Sequence, residues 1–512
     1  MAASIYPDYP PKLSPEQLDY LVLSLKDWSI TNGLAVRPSP TFVSNRTDPF
    51  GVLAVTAPVT LFPSPFPRSC FEEALAIQLA YNELYAAISR DEDWLREIVQ
   101  ELLQVDDFIA KLWEIHVAVK REGYVQDLSL GLFRSDYMVH VDPSKPTSPP
   151  QIRQVEFNTI ASSFGGLSTR VSQLHKHLLS TSAYPPTPTI NPYSLPANGS
   201  ISGLASGLFA AHSSYGPSKS TPPLPLCVLF IVQSPERNIF DQRLLEYELI
   251  TNHQIPTFRL PFASALTHTS IPPNSSRPLI YAPPHMPHTS HEVSVLYFRS
   301  AYTPTDYPSP ASWSARLHLE RSAAIKCPSI LTHLAGSKKV QQVLATPQSP
   351  HLSRFIRDPT ICERVWNTFA AIYPLDDTPA SKEAKRLATD EEECKKYVLK
   401  PQREGGGNNI YRTSIPPFLR SLPSEQHWKG HILMELIEPP ALSNSIFREG
   451  VLKTGEVIGE LGVYGTCLWR ADGEVLMNKE AGYLLRTKGR ESEEGGVAAG
   501  FGCVDSVCLI NV

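Results

Sequence analysis

The chain has 512 residues, of which 42% are hydrophobic and 19% are charged, and its formal net charge is -5. This balance argues against nucleic acid as the main partner, because neutralising phosphates needs a basic excess or a basic stripe. The length exceeds what one hydrophobic core usually serves, so we expect a globular protein with at least two structural units.

The N-terminal region is predicted to be largely helical. Its first residues, MAASIYPDYPPKL, lack the basic and apolar regions of a signal peptide. Ser14, Pro15 and Gln17 combine an N-cap, a proline at the first helical position and a capping-box glutamine, and Gly33 marks the expected helix end. Apolar side chains at helical spacing predict three further helices, over residues 70–90, 92–103 and 106–122.

Strands and helices alternate in the middle of the chain. Arg153–Asn158 alternates like a strand that ends in polar residues. Cys227–Val232 is a continuous apolar run, which is typical of a buried parallel strand, and a helix near Phe240–Asn252 and a strand at Glu292–Phe298 follow. This order predicts an α/β unit over residues 227–345.

Two stretches differ in composition from these elements. Residues 181–225 hold proline-rich flanks around a short helical segment, and residues 268–292 are rich in proline, histidine and serine. We interpret both stretches as surface insertions, with the flanks of the first as surface loop.

A glycine-rich segment follows a predicted strand at Tyr397–Lys400, and a second strand is predicted at His431–Glu435. The segment is KPQREGGGNN, Lys400–Asn409. Consecutive glycines suit a backbone that approaches a ligand closely, and their N–H groups can surround phosphate oxygens. Lys400 adds a positive charge, and Glu404 adds an acid that could hold a cation. On the glycines alone, an ordinary surface turn is the alternative.

Features spread along the chain predict a cytoplasmic protein that does not enter a membrane. The eight cysteines are scattered and form no CxxC pair. This pattern favours reduced thiols over a disulfide framework or a zinc site. No apolar run approaches the roughly 18 residues that a membrane span needs.

The segment KPQREGGGNNIY resembles the glycine-rich loop of the eukaryotic glutathione synthetases, a family of the ATP-grasp superfamily. Further blocks are similar to the same family in the same order, and together they span nearly the whole chain. They are LGLFRSDYM (Leu130–Met138), VEFNTIASSFGGL (Val155–Leu167), PERNIFDQR (Pro235–Arg243), LAGSKKVQQ (Leu334–Gln342) and ELGVYGTCLWR…VLMNKEAGYLLRTK…EGGVAAG (Glu460–Gly500).

The resemblance implies a mixed α/β (α+β) ATP-grasp fold with an inserted α/β substrate-binding domain. Residues 1–226 would form the helical N-terminal part and the first portion of the ATP-binding unit. Residues 227–345 would form the substrate-binding domain. Residues 346–512 would form the C-terminal ATP-grasp portion, with a glycine-rich and an alanine-rich lid loop. A homodimer is implied as well.

The family joins γ-glutamylcysteine to glycine with ATP, through an acyl phosphate, to give glutathione. Phosphoryl transfer depends on positioning and charge neutralisation, so we expect cations, magnesium ligands and a phosphate-wrapping loop. The implied Mg²⁺ ligands are Glu156, Asn158 and Glu404. Glu156 and Asn158 are two apart on a strand and face one side, and their oxygens suit a hard cation. An isolated pair of this kind could also be a solvated strand end.

The resemblance also assigns nucleotide contacts. Lys338 and Lys400 would reach the phosphates, although the residues alone do not decide between Lys338 and the adjacent Lys339. The other implied ATP contacts are Glu156, Gln402, Gly405, Gly406, Gly407, Asn408, Asn409, Tyr411, Met434, Glu435, Leu436, Ile437, Glu460, Lys488 and Glu494.

Arg134, Lys400 and Arg486 are the implied catalytic residues. Arg134 and Arg486 would bind carboxylates through the bidentate guanidinium geometry, whereas Arg490 is expected in solvent. The implied dipeptide contacts are Arg134, Ser163, Glu236, Arg237, Asn238, Gln242, Arg299, Tyr302, Arg486, Val497 and Ala498.

The chain departs from the family pattern at one position. The family usually reads NTISASF, whereas this chain reads NTIASSF, so Ala161 replaces a serine. One hydroxyl contact to the dipeptide is lost unless Ser162 or the backbone substitutes. Two alternatives for function stay open: a ligase that uses another amine, such as β-alanine or serine, and a catalytically silent relative that binds nucleotide.

Overall fold

The computed structural model describes residues 9–141, 148–404, 407–440, 442–492 and 502–512. Helices and strands alternate along these ranges. The α-helices are α1 (Pro15–Thr31), α2 (Arg68–Arg90), α3 (Glu92–Gln100), α4 (Asp107–Glu122), α5 (Gly165–Ser180), α6 (Ser200–Ser214), α7 (Ile239–His253), α8 (Ala265–His268), α9 (Pro310–Glu320), α10 (Ile330–Ala335), α11 (Lys338–Ala345), α12 (His351–Phe355), α13 (Pro359–Thr368), α14 (Pro379–Thr389) and α15 (Ile415–Ser421).

The β-strands form one large sheet and several smaller ones. They are β1 (Ala35–Val36), β2 (Val55–Thr56), β3 (Val59–Thr60), β4 (Ser64–Pro67), β5 (Leu128–His140), β6 (Gln151–Asn158), β7 (Leu226–Val232), β8 (Thr257–Pro261), β9 (Thr269–Ser270), β10 (Ile280–Tyr281), β11 (His291–Phe298), β12 (Ile325–Cys327), β13 (Ile372–Pro374), β14 (Tyr397–Pro401), β15 (Ile410–Tyr411), β16 (His431–Glu435), β17 (Leu442–Arg448), β18 (Val451–Arg470), β19 (Val475–Gly489), β20 (Gly502–Asp505) and β21 (Val507–Ile510). Their order in the sheets decides which side chains meet.

The predicted N-terminal helices are confirmed, and local signals explain their starts. Ser14 accepts a hydrogen bond from the Gln17 backbone N–H at 3.2 Å, and the Gln17 side chain accepts from the Ser14 N–H at 2.9 Å. This reciprocal capping box starts α1. The Asp106 carboxylate caps α4 through two backbone N–H groups. The third helix is shorter than predicted, because α3 ends at Gln100 and a 3-10 turn follows.

A large sheet joins 13 strands of the described ranges, with β5 near its centre. On one side, β5 pairs antiparallel with β18, and on the other it pairs with β6 and β12. The apolar strand β7 lies parallel to β11 and β8, as its uninterrupted hydrophobic run predicts. Strands from all three predicted domains therefore share one sheet, while the domain boundaries themselves stay a prediction.

A separate antiparallel sheet has the order β13-β16-β14-β15. The alternation of side chains along β14 gives its two faces different roles. Tyr397 and Leu399 pack into a small core with α14 and α15. Val398 and Lys400 point to the opposite face, toward a cavity.

The interpretation of residues 181–225 as a surface insertion is wrong. Helix α6 lies within this stretch and packs on β5, β18 and β19. Tyr184 and Ile190, in the preceding flank, are buried. Glycines in α6 permit this close packing, since a Cβ at Gly203 would lie 2.8 Å from the Ala481 backbone.

Residues 268–292 are also part of the sheet rather than a simple insertion. Short strands β9 and β10 pair with each other, and β10 pairs with β11 at the sheet edge. Leu279 and Tyr281 are buried there, whereas the proline-rich turns between the strands are largely exposed. Burial of these apolar side chains explains why this edge of the sheet packs against the core.

Candidate active site

A cavity of about 330 Å³ lies between the large sheet and the four-stranded sheet. Strands β5, β6, β18 and β19 form one wall, and β14 and β16 form the other. Sixteen of the predicted site residues line it: Arg134, Glu156, Asn158, Ser163, Tyr302, Lys400, Glu404, Asn409, Tyr411, Met434, Glu435, Leu436, Ile437, Glu460, Arg486 and Lys488.

The strand registers bring the charged residues of one wall together. Arg134 on β5 is opposite Asn158 on β6. On the neighbouring pair, Glu460 of β18 is opposite Arg486 of β19. Residues two apart on a strand share a face, so each antiparallel pair presents a row of polar groups to the cavity.

A carboxylate that the sequence analysis missed, Asp136, lies at the centre of this wall. It is fully buried and accepts hydrogen bonds from Arg134 Nε at 2.6 Å and Arg134 Nη2 at 2.8 Å. It also accepts from Arg486 Nη2 at 2.9 Å and from Asn158 Nδ2 at 3.0 Å. The signal was present in the sequence, because Asp136 is two residues from Arg134 and shares its strand face.

The structure separates the two adjacent lysines at the start of α11. Lys338 Nζ donates to Glu156 Oε2 at 2.9 Å and lies 3.7 Å from Glu404 Oε1. Lys339 Nζ instead lies 3.0 Å from Asp376 Oδ2, and its ammonium is paired away from the cavity. Of the two candidates, only Lys338 reaches the predicted metal ligands.

The carboxylates beside Lys338 have opposite pKa shifts. Burial alone would raise the pKa of Glu156, but the charges of Lys338, Lys400 and Arg486 bring it below its ordinary value. Burial raises the pKa of Glu404 to about 7. A cation bound between these two carboxylates would stabilise the charged form of Glu404 and so lower its pKa.

The predicted metal ligands fit a hard cation by their chemistry. Glu156, Asn158 and Glu404 all line the cavity and offer oxygen atoms. The Asn158 Nδ2 donates to Arg134 O at 3.2 Å and to Asp136, so both amide hydrogens are used on the sheet side. The Asn158 Oδ1 is therefore the atom left for a ligand.

Lys400 lies on the wall opposite Arg134. The Lys400 residue is 5% exposed, and its ammonium donates a hydrogen bond to Val155 O at 2.9 Å. Burial lowers the pKa of Lys400 to about 8. Beyond it, the strip Met434–Ile437 lines the cavity with backbone and apolar groups, next to Tyr411.

Arg490 is exposed to solvent, as expected from the sequence. It lines the cavity beside Lys488, and its Nε lies 3.7 Å from Glu456 Oε2. Arg486, Lys488 and Arg490 alternate along the end of β19 and its continuation, which places them on one face. Arg412 also lines the cavity and was not predicted.

Several predicted dipeptide contacts lie just outside the cavity wall. Arg299 donates to Ser163 Oγ at 2.8 Å and to Ser162 O at 2.6 Å, so it supports a lining loop from behind. The Glu236 carboxylate accepts from the Asn238 N–H and from Gln242 Nε2. Of the predicted site residues that the structure describes, those that do not line the cavity are Glu236, Arg237, Asn238, Gln242, Arg299, Lys338, Gln402, Gly407 and Asn408.

Parts of both predicted lid loops lie outside the described residues. The predicted contacts at Gly405, Gly406, Glu494, Val497 and Ala498 fall there. Gln402, at the start of the first loop, is buried and accepts a hydrogen bond from the Lys339 backbone N–H at 3.0 Å. The base of the glycine-rich loop is thus attached to the start of α11.

Comparison with known proteins identifies the family. A family model described as eukaryotic glutathione synthase, ATP binding domain, matches residues 15–509. The chain belongs to the eukaryotic glutathione synthase family. It is 40% identical over 517 residues to the glutathione synthetase large chain of Schizosaccharomyces pombe, covering 97% of this chain and 99% of the relative. It is 37% identical over 492 residues to the glutathione synthetase of Homo sapiens, covering 96% and 97%.

The predicted enzyme class, an ATP-dependent glutathione synthase, is therefore confirmed. Among solved structures, the chain resembles a glutathione synthetase-like effector from Globodera pallida, with a TM-score of 0.72, 21% identity and coverage of 98% of both chains. This likeness supports the predicted mixed α/β fold of the glutathione synthase family. Within the described ranges, no helix has the length and apolar character needed to cross a membrane.

Proposed function

We propose that this cavity makes glutathione in two steps, through an acyl phosphate of γ-glutamylcysteine. The observation that carries the proposal is the meeting of three groups of side chains in one cavity and directly beside its lining. Lys338 and Lys400 supply cations, Glu156 and Glu404 supply metal-binding carboxylates, and Arg134 and Arg486 supply guanidinium groups. This set serves phosphoryl transfer to a carboxylate better than simple nucleotide storage.

In the first step, an oxygen of the cysteinyl carboxylate attacks the γ-phosphorus of ATP. The bond from the γ-phosphorus to the bridging oxygen breaks, and ADP leaves. Lys400 and Lys338 hold the phosphate oxygens, and Arg134 offsets the negative charge that the carboxylate brings. The strip Met434–Ile437 receives the adenine against backbone and apolar groups.

In the second step, the amine of glycine attacks the acyl carbon, and phosphate leaves as the amide bond forms. The nitrogen loses a proton as it becomes an amide, and the departing phosphate takes up that proton. The acyl phosphate is sensitive to water, so closure over the cavity protects it. The glycine-rich and alanine-rich loops are the segments we propose for that closure.

Glu156, Asn158 and Glu404 would hold Mg²⁺. The ion would neutralise phosphate charge and orient the triphosphate. Lys338 lies between the two carboxylates, and this ammonium would shift toward phosphate oxygens when nucleotide enters. Its four-carbon stem gives the freedom for that movement.

The test is ADP release by the purified chain with γ-glutamylcysteine and a panel of glycine, β-alanine and serine. We expect glycine to give the highest kcat/KM and chelation of magnesium to stop turnover. If β-alanine or serine gives the highest value, the chain is a ligase for that amine. No ADP release with any amine would make it a silent relative and refute the proposal.

Glu404→Gln tests the metal site within that assay. The change removes a ligand charge with little change in volume, so kcat should fall by about two orders of magnitude or more. Glu391→Gln, at an exposed position, is the matched control and should change nothing. Near-normal turnover of Glu404→Gln with normal thermal unfolding would contradict the metal role.

We further propose a cytoplasmic homodimer. All eight cysteines are free in the structure, which suits a reducing compartment. Phe50 and Val52 are strongly exposed and could be covered in an assembly. Sedimentation equilibrium should give twice the chain mass, and cell fractionation should place the protein in the cytosol. A monomer, or an organellar location, would contradict the respective proposal.

A further inference from the structure

We propose that Asp136 is a positioning residue, which holds the guanidinium groups of Arg134 and Arg486 in place for the carboxylates of the dipeptide. The inference rests on the proposed function, because it takes these two arginines as substrate contacts. It adds a residue that the family resemblance did not single out.

The contacts of Asp136 use both carboxylate oxygens. Oδ1 accepts from Arg134 Nε at 2.6 Å, and Oδ2 accepts from Arg134 Nη2 at 2.8 Å, which is a bidentate pair. Oδ2 also accepts from Arg486 Nη2 at 2.9 Å. One buried carboxylate thus orients two guanidinium planes that come from different strands, β5 and β19.

The remaining contacts of the arginines complete this restraint. Arg134 Nη1 donates to Ser163 O at 3.2 Å, and Arg486 Nη2 also donates to Glu460 Oε1. Each terminal nitrogen of Arg134 then keeps one N–H for a ligand, since guanidinium carries five. Two arginines side by side repel each other, so a shared counter-charge is needed to bury them together.

The backbone makes room for the pair at Gly462. Gly462 on β18 is directly opposite Asp136. A Cβ at Gly462 would lie 2.7 Å from Arg134 Cδ and 2.7 Å from Asp136 Oδ1, so an alanine there would displace the pair. Neither the Arg134 nor the Asp136 side chain can move aside without breaking the bidentate pair between them.

The first test is Asp136→Asn, which keeps the volume and removes the charge. Binding of γ-glutamylcysteine to the nucleotide-free protein, measured by calorimetry, should weaken by about tenfold or more. Binding of ATP without magnesium should change by less than about threefold, since Lys400 and the strip Met434–Ile437 are untouched. Magnesium is left out because Asp136 also accepts a hydrogen bond from Asn158, a proposed metal ligand. A structural defect alone would affect both ligands together.

Asp505→Asn is the matched control for the loss of a buried carboxylate. Asp505 is 1% exposed and is held by the hydroxyl groups of Thr60, Ser64 and Thr487 rather than by arginines. This variant should lose thermal stability and keep the dipeptide affinity of the wild type. An equal loss of dipeptide affinity in both variants would overturn the proposal.

Gly462→Ala tests the geometry with every charge retained. It should also weaken dipeptide binding by about tenfold. Gly459→Ala on the same strand is its control, because a Cβ there meets its nearest atom, Leu485 Cδ1, at 3.4 Å. If Asp136→Asn does not fold, the comparison of Gly462→Ala with Gly459→Ala tests the positioning role instead. Wild-type affinity in Gly462→Ala would overturn the positioning role.

The outcome for the proposed function is separate. A wild-type protein that binds γ-glutamylcysteine but releases no ADP with any amine would refute the reaction, while the calorimetric comparison would still decide the role of Asp136. Wild-type dipeptide affinity in a folded Asp136→Asn, together with normal turnover, would refute the positioning role alone.

Discussion

Arg486 lies where a lysine could not make the same contacts, because its guanidinium faces Asp136 and Glu460 in a buried setting. An ammonium is a point charge and lacks the planar fork. At the residue scale, the cavity therefore depends on the shape of its cations as well as on their charge.

Arg486→Lys should lower kcat/KM for γ-glutamylcysteine. A charge-assisted pair contributes about 1.5–3 kcal/mol, which corresponds to roughly a ten- to hundredfold change. The measurement is steady-state turnover with ATP and glycine saturating. Arg386→Lys is the control, because Arg386 is exposed and pairs with Glu383 on the same helix. A change confined to the KM for ATP would mean that Arg486 serves the nucleotide instead.

Ser162 and Ser163 differ in what their hydroxyl groups contact. Ser162 Oγ is buried and has no hydrogen-bond partner among the described residues. Ser163 Oγ accepts from Arg299 and donates to Ala161 O at 3.1 Å. Because its hydroxyl is buried, we predict that Ser162 does not replace the contact that Ala161 lacks.

Ser162→Ala should leave the KM for γ-glutamylcysteine unchanged. Because an unsatisfied buried hydroxyl costs about 1–3 kcal/mol, the variant should be as stable as the wild type or more stable. Ser163→Ala should raise the KM, since it releases Arg299. The comparison uses thermal unfolding midpoints and turnover of both variants. A raised KM in Ser162→Ala alone would show that its hydroxyl does reach the dipeptide.

At the scale of elements, α6 shows how a helix can lie close to a sheet. Its glycines remove the side chains that would hold it away, and Gly207 faces Leu132 and Thr466 as Gly203 faces Ala481. The helix contacts Leu132 and Thr466, which lie on β5 and β18 and, by strand alternation, on the same face as Arg134 and Glu460. Its packing therefore stabilises these two strands next to the site.

Gly203→Ala should destabilise the protein even though alanine favours helix. The gain in helix propensity is about 1 kcal/mol, but the new Cβ would press on backbone atoms of Ala481, and overpacking costs about 1–3 kcal/mol. The thermal unfolding midpoint should fall. Ser202→Ala, exposed on the same helix, should leave it unchanged or raise it slightly. A rise in both variants would show that the helix can move outward at no cost.

At the scale of the whole molecule, buried histidines predict a loss of stability in acid. His175 on α5 is fully buried, and its Nδ1 lies 2.6 Å from the Tyr184 hydroxyl. Burial lowers the pKa of His175 to about 3 from the ordinary 6.5. The unfolded chain then binds more protons below pH 6.5, so the free energy of unfolding falls as the pH falls toward 3.

His175→Gln should remove this part of the pH dependence. A shift of this size corresponds to about 2 kcal/mol lost between pH 7.5 and pH 5. The measurement is denaturant unfolding at both pH values, compared between variant and wild type. His288→Gln, at an exposed position, is the control and should keep the wild-type difference. The idea fails if His175→Gln loses as much stability as the wild type on acidification.

Local signals in the sequence determined much of the fold. The capping box of α1, the apolar run of β7 and the alternation of β6 each depend on a few neighbouring residues. Such patterns act through backbone preference and strand periodicity, which do not require distant contacts. The family blocks were readable for the same reason, because each is contiguous, and most of the described residues taken from them line one cavity.

Tertiary structure alone decided the features that depend on distant contacts. It separated Lys338 from Lys339, placed Asp136 between arginines of two strands, brought the exposed Arg490 to the edge of the cavity and packed α6 against the large sheet. The proline-rich flanks of residues 181–225 suggested a surface segment. Whether a segment is buried depends on which distant elements pack against it, and here they are strands of the large sheet. Charge pairing works in the same way: a carboxylate on β5 meets an arginine 350 residues later only because β18 and β19 fold back beside it.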